Sequence, residues 1–161
     1  MEWAPPEKLH LTLNFMGQFD DKQIGAAQSV LARQIAAFPS FSSPLSTVET
    51  MYHRHEPTII YIQPSKCPEL MELQSALSVT LEDMDSPQPR RYFPQLTIGQ
   101  FVKADPTTMK RFMDTFSDFE LTDPLPEIPV TKIHLFESLT SKTGTYYRRM
   151  TGFPLSAGQA I

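Results

Sequence analysis

The chain has 161 residues, of which 40% are hydrophobic and 20% charged, which suits one globular domain with a sizeable core. Its formal net charge of −4 excludes the overall positive field that drives non-specific binding to duplex DNA. We therefore expect a nucleic-acid partner to be small and to meet a local site. The sequence has one cysteine, no apolar run of transmembrane length and no signal-peptide pattern, so we expect a cytoplasmic or nuclear protein that does not contact a membrane.

The first part of the chain predicts a loop, a strand and a helix. Residues 1–8 form a proline-containing loop, and the alternating run at 9–15 predicts a strand. Asp20 or Asp21 can cap the following helix, which ends before Pro39. The apolar residues of this helix recur at helical spacing, namely Ile24, Ala27, Leu31 and Ile35.

The middle of the chain predicts two strands and a second helix. After a loop at 39–44, strands are expected at 45–52 and 57–63, the second of them rich in β-branched residues. A helix begins at Pro68, which is well placed as a first helical residue, and a charged, proline-rich loop follows at 83–91. The buried stripe of this helix is Leu70, Leu73, Leu77 and Leu81.

The last part of the chain predicts a strand at 92–101 and a third helix that Asp105 caps and Pro106 begins. Three more strands are expected, with a hairpin turn between the last two: 119–122, 130–137 and 145–151. Helices and antiparallel hairpins are mixed, so the predicted class is α+β. Each half has a motif strand followed by a helix, and we expect a single domain over 1–161 with two pseudo-symmetric lobes.

Two of these strands carry matching pairs of polar residues. His10 and Thr12 share one strand face, and Gln95 and Thr97 share one face of the second, imperfect copy. A histidine can exchange a proton near neutral pH, and a threonine hydroxyl can donate to a phosphate oxygen. If the two strands face each other across a cleft, the pairs make one site; the alternative is two ordinary half-exposed strands.

Three separated stretches resemble signatures of the two-histidine (2H) phosphoesterases, which include the 2′-5′ RNA ligase-like proteins and RNA 2′,3′-cyclic phosphodiesterases. They are Trp3-x-Pro5-x-x-x-Leu9-His10-Leu11-Thr12-Leu13-x-Phe15-Met16-Gly17, then Phe93-Pro94-Gln95-Leu96-Thr97-Ile98-Gly99, and then Ile133 to Leu139 with Gly144-Thr145-Tyr146-Tyr147. The resemblance implies two antiparallel lobes with flanking helices and a central cleft. It also implies a substrate that is a small nucleotide or RNA end with a 2′,3′-cyclic phosphate or a 2′-5′ linkage. In such a site two histidines act as acid and base, two threonines hold the phosphate, and no metal or other cofactor is needed.

The chain departs from that family twice. Gln95 stands where the resemblance implies the second histidine, and an amide does not titrate. The family usually has a strand and a helix before the first motif, whereas here Met1 stands just before this motif, so we expect that the strand and the helix are lacking. We therefore expect cyclic phosphodiesterase activity that is weak or lost, with His10, Thr12, Gln95 and Thr97 as the site. The alternatives are an inactive module that binds a nucleotide or RNA end, and a structural domain that has lost the site.

Other residues give weaker signals. Tyr146 and Tyr147 point to opposite faces of their strand, and either can stack on a base, while Arg91 can meet a phosphate. These three are the candidate substrate-binding residues. The pair Arg148-Arg149 is more typical of solvated surface charge, and His134 of a strand histidine with its hydrogen bonds satisfied.

Two aromatic residues of the first signature, Trp3 and Phe15, are interpreted as core residues rather than ligand contacts.

Overall fold

The computed structural model describes residues 1–103, 105–119 and 121–157, and it confirms the α+β class. The helices are α1 (Asp21–Ala36), α2 (Pro68–Glu82) and α3 (Pro106–Ser117). The strands are β1 (Glu2–Trp3), β2 (Phe41–His53), β3 (Glu56–Pro64), β4 (Leu96–Gln100), β5 (Glu127–Val130), β6 (Lys132–Ser141) and β7 (Gly144–Pro154). No helix within the described ranges is long and apolar enough to span a membrane.

The chain forms two compact units, and each is assembled from three separated segments. Unit 1 comprises Met1–Thr12, Pro44–Lys66 and Phe93–Glu127, and unit 2 comprises Leu13–Ser43, Cys67–Tyr92 and Ile128–Ile161. Each unit therefore draws residues from both halves of the sequence.

Unit 1 is an antiparallel sheet in which β1, β4, β3 and β2 are neighbours in that order. The β2–β3 hairpin turns at Arg54 and His55, which both adopt positive φ angles (48° and 70°) as a two-residue hairpin turn requires. On one side of the sheet, Ile60 and Ile98 line an apolar space beneath α3. Since side chains alternate along β4, Thr97 projects from the other side.

The predicted strand at 9–15 is wrong. β1 pairs with the far end of β4, through Trp3 and Gly99, and the amide of Ala4 still donates to the carbonyl of Ile98 at 2.8 Å. The two prolines that follow have no amide hydrogen to continue the ladder, and the chain leaves the sheet in a 3-10 turn at Pro6–Lys8. It returns at Leu11, which forms an isolated antiparallel bridge with Leu96 of β4.

Unit 2 is built on the two helices whose apolar stripes were predicted. Asp20 caps α1 in a reciprocal capping box, in which its carboxylate accepts from the amide of Gln23 at 2.7 Å. The buried core cluster joins these stripes to the last strand and comprises Ala27, Leu31, Ile35, Leu73, Leu77, Phe153 and Leu155. The β6–β7 hairpin closes with Ser141 opposite Gly144, as predicted.

Several other predictions are wrong. No strand occurs at residues 119 and 121–122, Glu120 lies outside the described residues, and the short strand is β5 instead. The loop predicted at 39–44 already belongs to β2 from Phe41 onward, because paired backbone extends further than the β-branched residues. Trp3 and Phe15 are 61% and 73% exposed, so neither is a core residue. Trp3 lies in β1, at the edge of the sheet, over Gly99.

Candidate functional site

One backbone bridge brings the two polar pairs together within unit 1. Leu11 and Leu96 form an isolated antiparallel bridge, which places the backbone segment of His10 and Thr12 beside the segment of Gln95 and Thr97. We call these four residues the motif quartet. The motifs that were expected on either side of a cleft are thus adjacent backbone segments.

The proline turn positions the imidazole of His10. Pro5 and Pro6 start the 3-10 turn, which leaves the carbonyl of Lys8 two residues before His10. Nδ1 of His10 lies 2.7 Å from that carbonyl oxygen. A carbonyl oxygen only accepts, so Nδ1 must carry the hydrogen, and in the neutral ring Nε2 carries the lone pair. The side chain of His10 is exposed.

The other three members of the quartet are half-buried and lie in β4 or close to it. Thr97 belongs to β4, Gln95 directly precedes this strand, and Thr12 follows the bridge. β4 is hydrogen-bonded to β3 on its far side, where Tyr61 is the partner of Thr97. The side chains of Thr97 and Tyr61 therefore project from one side of the sheet, and the segment that carries His10 and Thr12 lies beside β4.

Tyr61 is a neighbour of the quartet that the sequence did not reveal. It is only 8% exposed, and its ring meets that of Phe93 edge to face, with centroids 5.8 Å apart. Burial, and then the charge of Glu49 opposite it in β2, raises the pKa of the Tyr61 hydroxyl, which remains a protonated donor at neutral pH. A shift in the β3–β4 register between Ile60 and Tyr61 creates this alignment, and no residue pattern announces it.

The remaining substrate-binding candidates all belong to unit 2. Arg91 is exposed in the segment between α2 and β4. Tyr146 and Tyr147 are 49% and 51% exposed on β7, opposite Leu139 and Ser138 of β6. The two tyrosines project to opposite sides of the hairpin, as their adjacent positions predict.

His134 was interpreted as a strand histidine with its hydrogen bonds satisfied, and this interpretation is wrong for its Nδ1 atom. Its buried Nδ1 has no hydrogen-bond partner among the residues that the structure describes. Burial lowers the pKa of His134, and the positive charges of Arg149 and Lys132 lower it further.

Within the described ranges, no group of three or more His, Cys, Asp or Glu side chains is arranged to hold a metal ion.

Comparisons with known proteins agree on one family. The family model of the 2′-5′ RNA ligase superfamily matches residues 2–142. An RNA 2′,3′-cyclic phosphodiesterase of Thermotoga maritima is 27% identical over 146 residues, which are 91% of this chain and 75% of that protein. A protein of the same description from Bacillus subtilis is 25% identical over 100 residues, 62% of this chain and 55% of its own length.

Solved structures show the same fold. A crystal structure from Thermus thermophilus superposes with a TM-score of 0.76 at 18% identity, over 99% of this chain and 84% of its own. E. coli LigT complexed with 3′-AMP superposes with a TM-score of 0.69 at 20% identity, over 95% of this chain and 80% of its own.

Proposed function

Because the chain belongs to the 2′-5′ RNA ligase superfamily, we propose that it acts on RNA ends or small nucleotides that carry a 2′,3′-cyclic phosphate or a 2′-5′ linkage. The names of its curated relatives support this substrate class. The observation that carries the proposal is the bridge between Leu11 and Leu96, which brings together the two segments that carry the imidazole, the two hydroxyls and the amide of the motif quartet. Such a set can hold a phosphate and move one proton.

His10 is the proton acceptor in this proposal. With Nδ1–H donating to the Lys8 carbonyl, Nε2 takes a proton from a water molecule as the water oxygen bonds to phosphorus. One phosphorus–oxygen bond of the ring then breaks, and the product is a phosphomonoester beside a free hydroxyl. Thr12 and Thr97 donate hydrogen bonds to the non-bridging oxygens, where charge accumulates.

Gln95 limits the reaction at the leaving oxygen. That oxygen must gain a proton, and an amide has none to give at neutral pH, so the proton must come from water. General acid or base assistance contributes roughly 10²–10⁴-fold to a rate. We therefore propose turnover that is slower by about that factor than with a histidine at position 95, together with retained binding.

A second candidate function is a nucleotide-binding module without turnover. It is favoured by one observation, namely that Gln95 removes the second titrating group while both threonines of the quartet are present. An amide beside Thr12 can still hydrogen-bond a phosphate. The solved complexes of E. coli LigT with 3′-AMP, ATP and phosphate show that a protein of this fold holds such ligands.

The two functions are separated by assaying hydrolysis of a 2′,3′-cyclic nucleotide by the wild-type protein and by Gln95→His. We expect Gln95→His to raise kcat by about 10²-fold or more, and His10→Ala added to it to abolish the gain. The matched control is Gln100→His, which places the same side chain on β4 outside the quartet and should change nothing.

The possible results of this assay distinguish the two candidate functions. Equal, robust turnover by wild type and Gln95→His would contradict the limiting role of Gln95. No turnover by any variant, with 3′-AMP binding seen in calorimetry, would favour the binding module. Neither turnover nor binding would leave the fold without either function.

A further inference from the structure

One side of the β6–β7 hairpin concentrates cations and aromatic rings. Alternation along β6, and the pairing of Phe136 with Arg149 and of Ser138 with Tyr147, define this side. We call it the basic face, and its members are Lys132, His134, Phe136, Ser138, Tyr147 and Arg149. The opposite side of the hairpin is the core side, where Ile133 and Leu135 pack against the buried cluster of unit 2.

The rings of the basic face contact one another and a guanidinium. The Phe136 ring lies between its two neighbours, with centroids 6.0 Å from His134 and 6.5 Å from Tyr147. The Arg149 guanidinium carbon is 5.9 Å from the Phe136 centroid, within cation–π distance. Phe136 is 41% exposed and Tyr147 is 51% exposed, so the row offers ring surface to solvent.

The charge on this face is not neutralised by neighbouring acids. The adjacent arginine, Arg148, forms an ion pair with Glu137 on the other side of the hairpin. In the part of the chain that the structure describes, neither Arg149 nor Lys132 has a carboxylate within ion-pair distance. Burial lowers the pKa of His134, and Arg149 and Lys132, which both act on this imidazole, lower it further. A protein of net charge −4 thus keeps a local positive area beside exposed rings.

We infer that the basic face binds single-stranded RNA, with a base stacked on Phe136 and Tyr147 and a backbone phosphate held by Arg149 and Lys132. Rings beside cations are the combination that single strands require, because their unpaired bases can stack while their phosphates meet positive charge. The bases of a duplex are paired and stacked on one another, so they cannot stack on the rings of this face. The choice of RNA as the single strand rests on the proposed function.

The experiment measures binding without turnover. The probe is a single-stranded RNA hexamer that ends in a 3′-phosphate and contains one 2-aminopurine, and its anisotropy and fluorescence are followed on adding the 161-residue protein. We expect binding with 2-aminopurine quenching, because stacking quenches this base. Tyr147→Leu should weaken binding about tenfold and remove the quenching, and Tyr147→Phe should restore both. Arg149→Ala should weaken binding about tenfold and reduce the slope of log K against log salt by about 0.7.

The hairpin supplies its own matched control. Arg148→Ala removes the arginine one position away, on the other side of the hairpin, and should alter affinity less than twofold. The RNA annealed to its complement should bind at least tenfold more weakly.

The outcomes separate this inference from the proposed function. Equal losses in Arg148→Ala and Arg149→Ala would reduce the effect to general charge attraction and overturn the inference, as would an absence of binding. Displacement of the RNA by an acidic tyrosine-containing peptide at equal affinity would also overturn it, in favour of a protein partner. Binding that follows the predicted pattern, in a protein that never turns over a cyclic phosphate, would support the inference while the catalytic proposal fails.

Discussion

The helices of the two units have similar apolar stripes but very different surroundings. In unit 2, α1 and α2 bury residues completely, with Ala27 and Leu73 at 0% exposure and Leu31 at 6%. In unit 1, α3 buries none of its twelve residues, all of which the structure describes. Between α3 and its sheet lies an apolar cavity of about 270 Å³, lined in part by Trp3, Ile98 and Phe116. Because interiors are normally close-packed, the stability of the protein must depend far more on the α1–α2 layer than on α3.

The largest expected effect comes from truncating one core residue in the better-packed layer. Leu73→Ala should lower the free energy of unfolding by about 2–5 kcal/mol, since a fully buried leucine leaves a cavity that neighbours cannot fill. Phe116→Ala removes a larger side chain from α3, yet it should lower the free energy of unfolding by less, because the ring is already half-exposed beside a cavity. Urea denaturation of both variants measures the difference, and a larger loss in Phe116→Ala would reverse the comparison.

In unit 1, the ring of Trp3 packs tightly on the backbone of Gly99. A Cβ at position 99 would lie 3.0 Å from the Trp3 ring and 3.2 Å from the Met1 sulfur, closer than van der Waals contact allows. Gly99→Ala should therefore destabilise the protein by about 1 kcal/mol, at the low end for overpacking because the exposed ring can shift.

Fluorescence reports this shift directly, since Trp3 is the one tryptophan of the chain. Gly25→Ala is the control, because nothing lies within 4 Å of the added Cβ in α1. An unchanged emission spectrum in Gly99→Ala would show that the ring does not depend on this contact.

The cavity beneath α3 can also be filled. Thr115 lines it, and Thr115→Leu adds apolar volume while removing a hydroxyl that donates to the Arg111 carbonyl of the same helix. We expect a gain of about 0.5–1 kcal/mol, as in other cavity-filling changes. Lys110→Leu, an exposed position on α3 outside the cavity lining, serves as the control and should gain nothing. Equal gains in both variants would point to helix propensity instead of filling.

The same contrast explains what the sequence could predict. Helical spacing located all three helices, and Asp20, Pro68 and Asp105 fixed where they begin, since capping and proline effects are local. How deeply a stripe is buried depends on the opposing surface, which is why α3 could not be distinguished from α1.

The candidate site was predictable to a similar extent. The residue types of the motif quartet could be read from the alternating runs, because alternation is also local. Its assembly could not, since it depends on the turn made by Pro5 and Pro6 and on the return of Leu11 to β4. The basic face was missed for a related reason: the value of Arg149 comes from its register opposite Phe136, whereas in sequence it is one of two adjacent arginines.

The smallest expected effect is a dependence of stability on pH, which arises in unit 2 because burial disfavours the protonated form of His134. Burial and the charges of Arg149 and Lys132 hold the pKa of His134 below its ordinary value of about 6.5. The unfolded chain therefore binds a proton that the folded chain resists, and stability falls as the pH drops from about 6.5 toward the folded pKa. His134→Gln should flatten the dependence of stability on pH. Arg149→Ala should narrow the pH range over which stability falls, because it removes one of the charges that lower the pKa of His134. Thermal unfolding between pH 7.5 and about 5 measures the slopes; the same slope in wild type and His134→Gln would mean that the imidazole is protonated equally in both states.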